Sequence, residues 1–349
     1  RAVLFERPPP HLVGLADHLT APADLWVTTD QELEALTAQR TEQKAFLEIL
    51  GHSASGDLAA VFDKARSLAG GGTRETSSPA LTLLLQPHLR QAQEAIAKAN
   101  RGEDSTANWQ VALRAATTAR MLDPTSPEPW RLLGEISIAQ GQVESAKRHF
   151  DAAIERDPTH LDALLGTARV ARLRHDLESA ESALREAARH HPRTWRGWHN
   201  LGAFLFEQDR NEEAVEAFQR ATAIPDAPPM THLSLGETYL DQGSPALALL
   251  ESGRLLAIER SADALYLRGR AHYELDQLDR ALQDFKQAVL LEANHVGARG
   301  GISQVLVVTG DLHAARESLQ SVLALDPTNI PARENLQRID QTLSNPASP

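Results

Sequence analysis

Cysteine is absent from the 349 residues, which excludes a disulfide framework, a zinc ribbon, an iron–sulfur cluster and a thiol nucleophile. Lysine is scarce: five of the 35 basic residues are lysines (Lys44, Lys64, Lys98, Lys147 and Lys286), a bias expected of a GC-rich bacterial genome. No apolar run approaches the roughly 20 residues needed to span a bilayer. Arg1 opens the chain without a basic n-region, an apolar h-region and a small-residue cleavage site. Positive charge is also in deficit. A net charge of −12 argues against nucleic acid as a partner, because affinity for phosphate backbones comes from a basic surface that displaces counterions. What remains, 42% apolar and 23% charged residues, is the composition of a soluble folded chain, placed in a bacterial cytoplasm or periplasm.

The chain does contain a period. Ala112, Ala146, Ala180, Ala214, Ala248, Ala281 and Ala315 are spaced 34, 34, 34, 34, 33 and 34 residues apart, each within a helix-like apolar pattern. Four residues after them stand Ala116, Phe150, Leu184, Phe218, Ser252, Phe285 and Leu319, so each pair marks one helix face. Pro124, Pro158, Pro192 and Pro327 close several units. Twelve or thirteen residues before the alanine the other half of the pattern appears: Trp130, Leu133 and Gly134; Trp198, Leu201, Gly202 and Leu205; Leu235, Gly236 and Tyr239.

These residues resemble the tetratricopeptide repeat (TPR) family, whose pattern is W-x2-L-G-x2-Y, then A-x3-F, then P. The resemblance covers about residues 93–343. It implies an all-α fold: a right-handed superhelix of about seven helical hairpins that start at 93, 127, 161, 195, 229, 262 and 296. Gly134, Gly202, Gly236 and Gly269 then let the two helices of a unit approach, with alanine at the crossing, while Trp130, Trp198, Phe150, Phe218 and Phe285 fill the space between units. Gly141, Gly243 and Gly310 fall where the helices of a unit join. Ser244 and Pro245 read as an N-cap and a first helical residue. The match is uneven: Asn100, Ala168 and Ser303 replace the glycine, and the fifth unit ends at Arg260 without proline.

The domain organisation follows. Residues 1–28 read as a strand-like lead-in, 29–69 as a helical hairpin, 70–79 as a Gly/Ser linker and 80–92 as a short helix broken before Pro87. The array occupies 93–329, a capping helix 330–343 and a disordered tail 344–349. The hairpin rests on the capping-box spacing of Thr29 and Glu32 and on apolar residues from Leu33 to Leu68. The stretch from Ala2 to Pro10 resembles the end of a spermidine-synthase-like domain, L-E-x-x-x-P, through Phe5, Glu6 and the prolines. That resemblance implies an upstream domain holding every catalytic residue of that family.

Within the repeats, the inner groove of successive first helices is where a peptide would bind. Its positions carry Arg131, Arg169, Arg172, Arg196, His199, Asn200, Arg270 and Tyr273, accompanied by Glu135, Glu207, Glu237, Asp241 and Glu274. Arginine forks and the Asn200 amide suit a carboxylate or acidic segment; the alternative is a solvated face neutralised by the acids. Arg196-x3-Asn200 is similar to one piece of the clamp by which some TPR proteins hold a chaperone's C-terminal carboxylate. Met230, Ser234, Asp263 and Leu267 replace the rest. An apolar groove around Phe206, Leu240, Tyr266 and Tyr273 is the competing design. No catalytic residue, cofactor or metal is predicted. Gly51-His52-Ser53-Ala54-Ser55 misses the last glycine of a nucleophile elbow, His190 and His191 lack metal-ligand spacing, and Gly297, Gly300 and Gly301 lack the order of a phosphate cradle. The expected function is a protein-interaction scaffold; the alternatives are an accessory domain of a larger enzyme and self-association.

Overall fold

The computed structural model describes residues 79–344. The lead-in, the hairpin of 29–69, the linker up to residue 78, the Gly51–Ser55 segment and the last five residues lie outside the described residues.

Fifteen helices follow one another with no strand among the described residues. Seven hairpins pair α1 (Pro79–Asn100) with α2 (Ser105–Leu122), α3 (Pro127–Ala139) with α4 (Val143–Arg156), and α5 (Leu161–Leu173) with α6 (Leu177–His190). Next come α7 (Trp195–Glu207) with α8 (Asn211–Thr222), α9 (Pro229–Asp241) with α10 (Pro245–Ile258), α11 (Ala262–Glu274) with α12 (Leu278–Leu291), and α13 (Val296–Val308) with α14 (Leu312–Leu325). Helix α15 (Ile330–Ser344) packs on α14 and closes the array. Six of the seven first helices start where the 34-residue period places them. The exception is α1, which runs unbroken through Pro87 instead of ending before it. A proline there removes one backbone donor, but Leu85, Leu89, Ala92 and Ile96 form one continuous buried face, and that burial outweighs the lost bond. Pro79 thus begins a helix rather than ending a linker, and Ser344 belongs to α15 rather than to a disordered tail.

Each second helix packs on its own first helix and on the next unit. Successive first helices also touch one another from α1 to α13, whereas successive second helices make no comparable contact. The first helices therefore crowd the inner side of a curved array and the second helices spread over its outside, the arrangement of a right-handed α-α superhelix. The seven periodic alanines are wholly buried at these crossings.

The glycines do something other than meet the alanines. A Cβ on Gly134 would stand 2.7 Å from the Phe150 ring, and one on Gly166, in the next unit, 2.2 Å from the same ring. Gly269 and Gly301 flank Phe285 in the same way, at 2.6 and 2.7 Å, and Gly202 lies against Phe218 at 2.8 Å. The Phe150 and Phe285 rings are each slotted between two first helices, and the missing side chains make the slot. Where the small residue is Ala168 or Ser303, the ring is replaced by Leu184 or Leu319, and in the fifth unit, where Ser252 stands in the ring's place, Leu267 fills the space at Gly236.

The joints are equally regular. Within six consecutive units the residue after the first helix's last turn is left-handed: Gly141, His175, Asp209, Gly243, Asp276 and Gly310, with φ between 57 and 85°. Three of these positions lack the glycine that the conformation favours. Between units, Asp123, Asp157 and Asp326 precede the closing prolines, and each Oδ1 accepts hydrogen bonds from the main chain and hydroxyl of Thr125, Thr159 or Thr328 at 2.6–3.0 Å. Such Asx turns hold the chain between hairpins. Ser244 precedes α10 without a side-chain cap, while Pro245 takes the first helical position.

Candidate functional site

The inner surface of the second to fourth units encloses a cavity of about 540 Å³ between α3, α5 and α7. Its apolar wall is Ile138, Phe150, Leu165, Leu173 and Leu184, and its polar wall is Glu135, Asp162, Arg169, Arg172, Arg196 and Asn200. The first helices supply the polar residues because positions three, four and seven apart share a face: Asp162, Arg169 and Arg172 on α5, Arg196 and Asn200 on α7.

Most of these charges are already paired. Arg172 Nη2 donates to both Glu207 carboxylate oxygens at 2.8 and 2.7 Å, tying the end of α5 to the end of α7. Arg196 lies 2.6 Å from Asp162, joining the starts of the same helices. Asn200 Nδ2 donates to the Arg196 carbonyl at 2.8 Å. Arg169 is exposed and makes no hydrogen bond or ion pair among the described residues. Since Glu135 is held by Arg131 and Asp162 by Arg196, one positive charge is left uncompensated on the cavity wall.

Four of the eight predicted groove residues, Arg169, Arg172, Arg196 and Asn200, thus line one cavity. Arg131 does not. Only 5% exposed, it donates to Glu128 at 2.8 and 2.5 Å and to Glu135 at 2.6 Å. Burial raises the Glu128 pKa, but the hydrogen bonds from Arg131 and His160 outweigh it and hold the carboxyl at about 2. Arg131 is thus buried in ion pairs within α3, whose Glu128 also meets His160 of the third unit at 3.2 Å, and is not a groove cation. His199 is likewise buried, edge-on to Trp195 at 5.8 Å and beside Phe218 at 5.5 Å. Desolvation lowers its pKa. One position before Asn200 on the helix, it has turned into the core. Arg270 and Tyr273 sit on α11, two units from the cavity: Arg270 lies 3.8 Å from Asp241 and over the Tyr266 ring, and half-buried Tyr273 packs against Phe285 and Val305. The alternative, neutralisation of the arginines by acidic side chains, therefore describes Arg131, Arg172, Arg196 and Arg270, and not Arg169. Phe150 and Leu184 were outside the sequence-derived groove because they come from second helices; the glycine opposite Phe150 is what lets its ring reach the cavity.

Among the described residues no helix is long and apolar enough to cross a membrane, and no three His, Asp or Glu side chains group as a metal site.

Family profiles described as tetratricopeptide repeat match residues 106–165 and 137–205, 196–227 and 266–330, together more than half of the chain. The chain belongs to the tetratricopeptide repeat family. Among relatives of this TPR protein, the DnaJ homolog subfamily C member 7 homolog of Schizosaccharomyces pombe is 24% identical over 240 residues, 61% of this chain and 50% of that one. The type IV pilus assembly protein PilF of Pseudomonas aeruginosa is 29% identical over 158 residues, 41% of this chain and 63% of that one. Each match thus spans less than two thirds of the relative's length. Among solved structures, the APC/C hetero-tetramer Cut9-Hcn1 superposes with a TM-score of 0.52 at 19% identity, covering 80% of this chain and 59% of that one. The P. aeruginosa PilF structure superposes with a TM-score of 0.51 at 22% identity, covering 63% and 98%. These superpositions establish the superhelical TPR fold.

Proposed function

We propose that this TPR protein is an interaction scaffold that holds a carboxylate-bearing peptide segment of a partner protein in its inner groove, with the cavity between α3, α5 and α7 as the anchoring point. The observation that carries this reading is Arg169: an exposed guanidinium with no partner among the described residues, on the wall of a cavity whose other charges are paired. A guanidinium fork matches a carboxylate in geometry as well as charge. The cavity is preformed by rigid helices, so binding orders little of the protein. One relative, named as a type IV pilus assembly protein, is in keeping with this.

The test is affinity capture from the native source with the full chain as bait, beside a variant carrying Arg169→Ala, Arg172→Ala, Arg196→Ala and Asn200→Ala. Circular dichroism of both must show equal helicity. A partner held by the parent and lost by the variant supports the reading, and competition by free acidic peptides identifies the carboxylate. Equal capture by both chains refutes it.

A further inference from the structure

Arg169 and Leu173 stand one turn apart on the same face of α5, and both belong to the cavity wall. The guanidinium has no partner among the described residues, and the leucine is 51% exposed. A ligand that satisfies both carries a carboxylate next to an apolar side chain, and the chain itself holds such a segment. Outside the described residues, acids and bases balance from Arg40 to Ser78, five of each. Residues 8–39, by contrast, carry Asp17, Asp24, Asp30, Glu32 and Glu34 and no lysine or arginine. Four of these acids fall within Asp24–Glu34, where they stand among Leu25, Trp26, Val27 and Leu33. The five residues after Ser344 have no acidic side chain.

The acidic segment is tethered close to the cavity. The described chain begins at Pro79, the start of α1, and α1 packs on α3, where Gln93 Nε2 donates to Glu128 Oε1 at 3.0 Å. Helix α3 in turn supplies Glu135 and Ile138 to the cavity. Residues 35–78 separate Glu34 from Pro79. Even residues 70–78 alone reach up to about 30 Å when extended, roughly the length of α1. A segment on such a tether meets a nearby site at an effective concentration of about 1 mM. Arg172 and Arg196 are paired with Glu207 and Asp162, which leaves Arg169 as the cation it meets.

Resting on the carboxylate-binding reading above, we infer that the chain's own segment Asp24–Glu34 docks in the cavity, with Glu32 and its neighbours Asp30 and Glu34 at Arg169 and with Leu33 against Leu173. The groove is thereby self-occluded, and a partner's acidic segment enters by displacing it. An intrinsic Kd of about 0.5 mM suffices: at an effective concentration of about 1 mM the segment is docked about two-thirds of the time and weakens a competitor about threefold.

The absence of native cysteine makes the contact trappable in the full chain. Leu33→Cys is combined either with Leu173→Cys at the cavity or with Leu113→Cys on second helix α2, which is 42% exposed and nearer to Pro79 along the chain. Disulfide formation in oxidised glutathione is timed by non-reducing electrophoresis, at helicity equal to the parent's. Trapping on Leu173→Cys is expected at least 10-fold faster than on Leu113→Cys. It should slow at least threefold when Arg169→Ala is added, or when Asp30→Asn, Glu32→Gln and Glu34→Gln are added together. Equal rates at the two sites, a rate at Leu173→Cys that ignores both sets of changes, or a disulfide formed only between two chains overturns the inference. A synthetic peptide of residues 24–34 with cysteine in place of Leu33, trapped on the single variant Leu173→Cys, separates this failure from that of the groove. Neutralising the chain's own segment should speed the peptide's trapping about threefold. Peptide trapping that depends on Arg169 and ignores the neutralised segment refutes self-occlusion and leaves the groove reading standing. Peptide trapping indifferent to Arg169→Ala refutes both.

Discussion

Substituting Gly166 by alanine tests the slot that organises the array. In a helix interior alanine is favoured over glycine by about 1 kcal/mol, so on local grounds Gly166→Ala should stabilise α5. The structure predicts the opposite, because the new Cβ would stand 2.2 Å from the Phe150 ring. That ring cannot retreat: it is 1% exposed, and Gly134 already lies against its other face. Overpacking of this kind costs about 1–3 kcal/mol, and the steep contact places Gly166→Ala toward the upper end. Subtracting the propensity gain leaves a net loss of about 1–2 kcal/mol. Phe150→Leu, which loses ring volume, should cost about 1–2 kcal/mol on its own. In that background Gly166→Ala should change sign and stabilise by about 0.5–1 kcal/mol, because the ring atoms nearest its Cβ, Cε1 and Cζ, are gone. Urea unfolding of the four chains, followed by circular dichroism at 222 nm, closes the cycle. Additive effects, with Gly166→Ala harmful to the same extent beside Phe150 and Leu, would refute the slot.

Other outcomes follow from the joints and the buried ion pairs. His175→Gly should raise stability by about 1 kcal/mol, since the left-handed backbone at φ 58° burdens any side chain; Gly243→Ala should lower it by a similar amount, both read from urea midpoints. Glu128→Ala should cost about 3 kcal/mol, because it strips a buried arginine of a partner, while Arg169→Ala should stay within about 0.5 kcal/mol, separating a structural arginine from a binding one by thermal unfolding. The Glu128 carboxyl is held at about 2, below its unfolded value, so its contribution is full above the ordinary glutamate range and is lost as pH falls through about 2. Melting temperatures between pH 4.5 and 2 should therefore fall more steeply in the parent than in Glu128→Gln.

Periodicity made the fold legible because every unit repeats one packing problem, and first-helix starts from Pro127 to Val296 could be counted off the alanines. Pro87 misled because local backbone chemistry argues for a break, whereas the buried face from Leu85 to Ile96 that overrides it forms only against α2 and α3. The glycines were visible but their purpose was not, since the ring filling each slot lies sixteen residues before or after them in sequence and on another helix. For the groove, helical spacing identified the right helices yet could not set rotation to better than one residue. Asn200 and His199 are neighbours on α7, and one faces the cavity while the other is buried under Trp195. Pairing was invisible as well: Arg131, Arg169 and Arg172 are alike in sequence, and only three dimensions show that Glu128 and Glu135 consume the first, Glu207 the third, and nothing among the described residues the second.

The most direct test places a photoreactive side chain on each side of the array. Leu173 stands at the cavity, 51% exposed, and Leu250 on second helix α10, 52% exposed, so the two sites differ in location and not in accessibility. Each is replaced in turn by p-benzoylphenylalanine in the full chain, irradiated in native extract, and the adducts are compared by mass spectrometry. Inner-groove recognition predicts a protein adduct at Leu173, abolished when Arg169→Ala and Asn200→Ala are added, and none of that partner at Leu250. The same partner trapped at Leu250 and absent at Leu173 would contradict it.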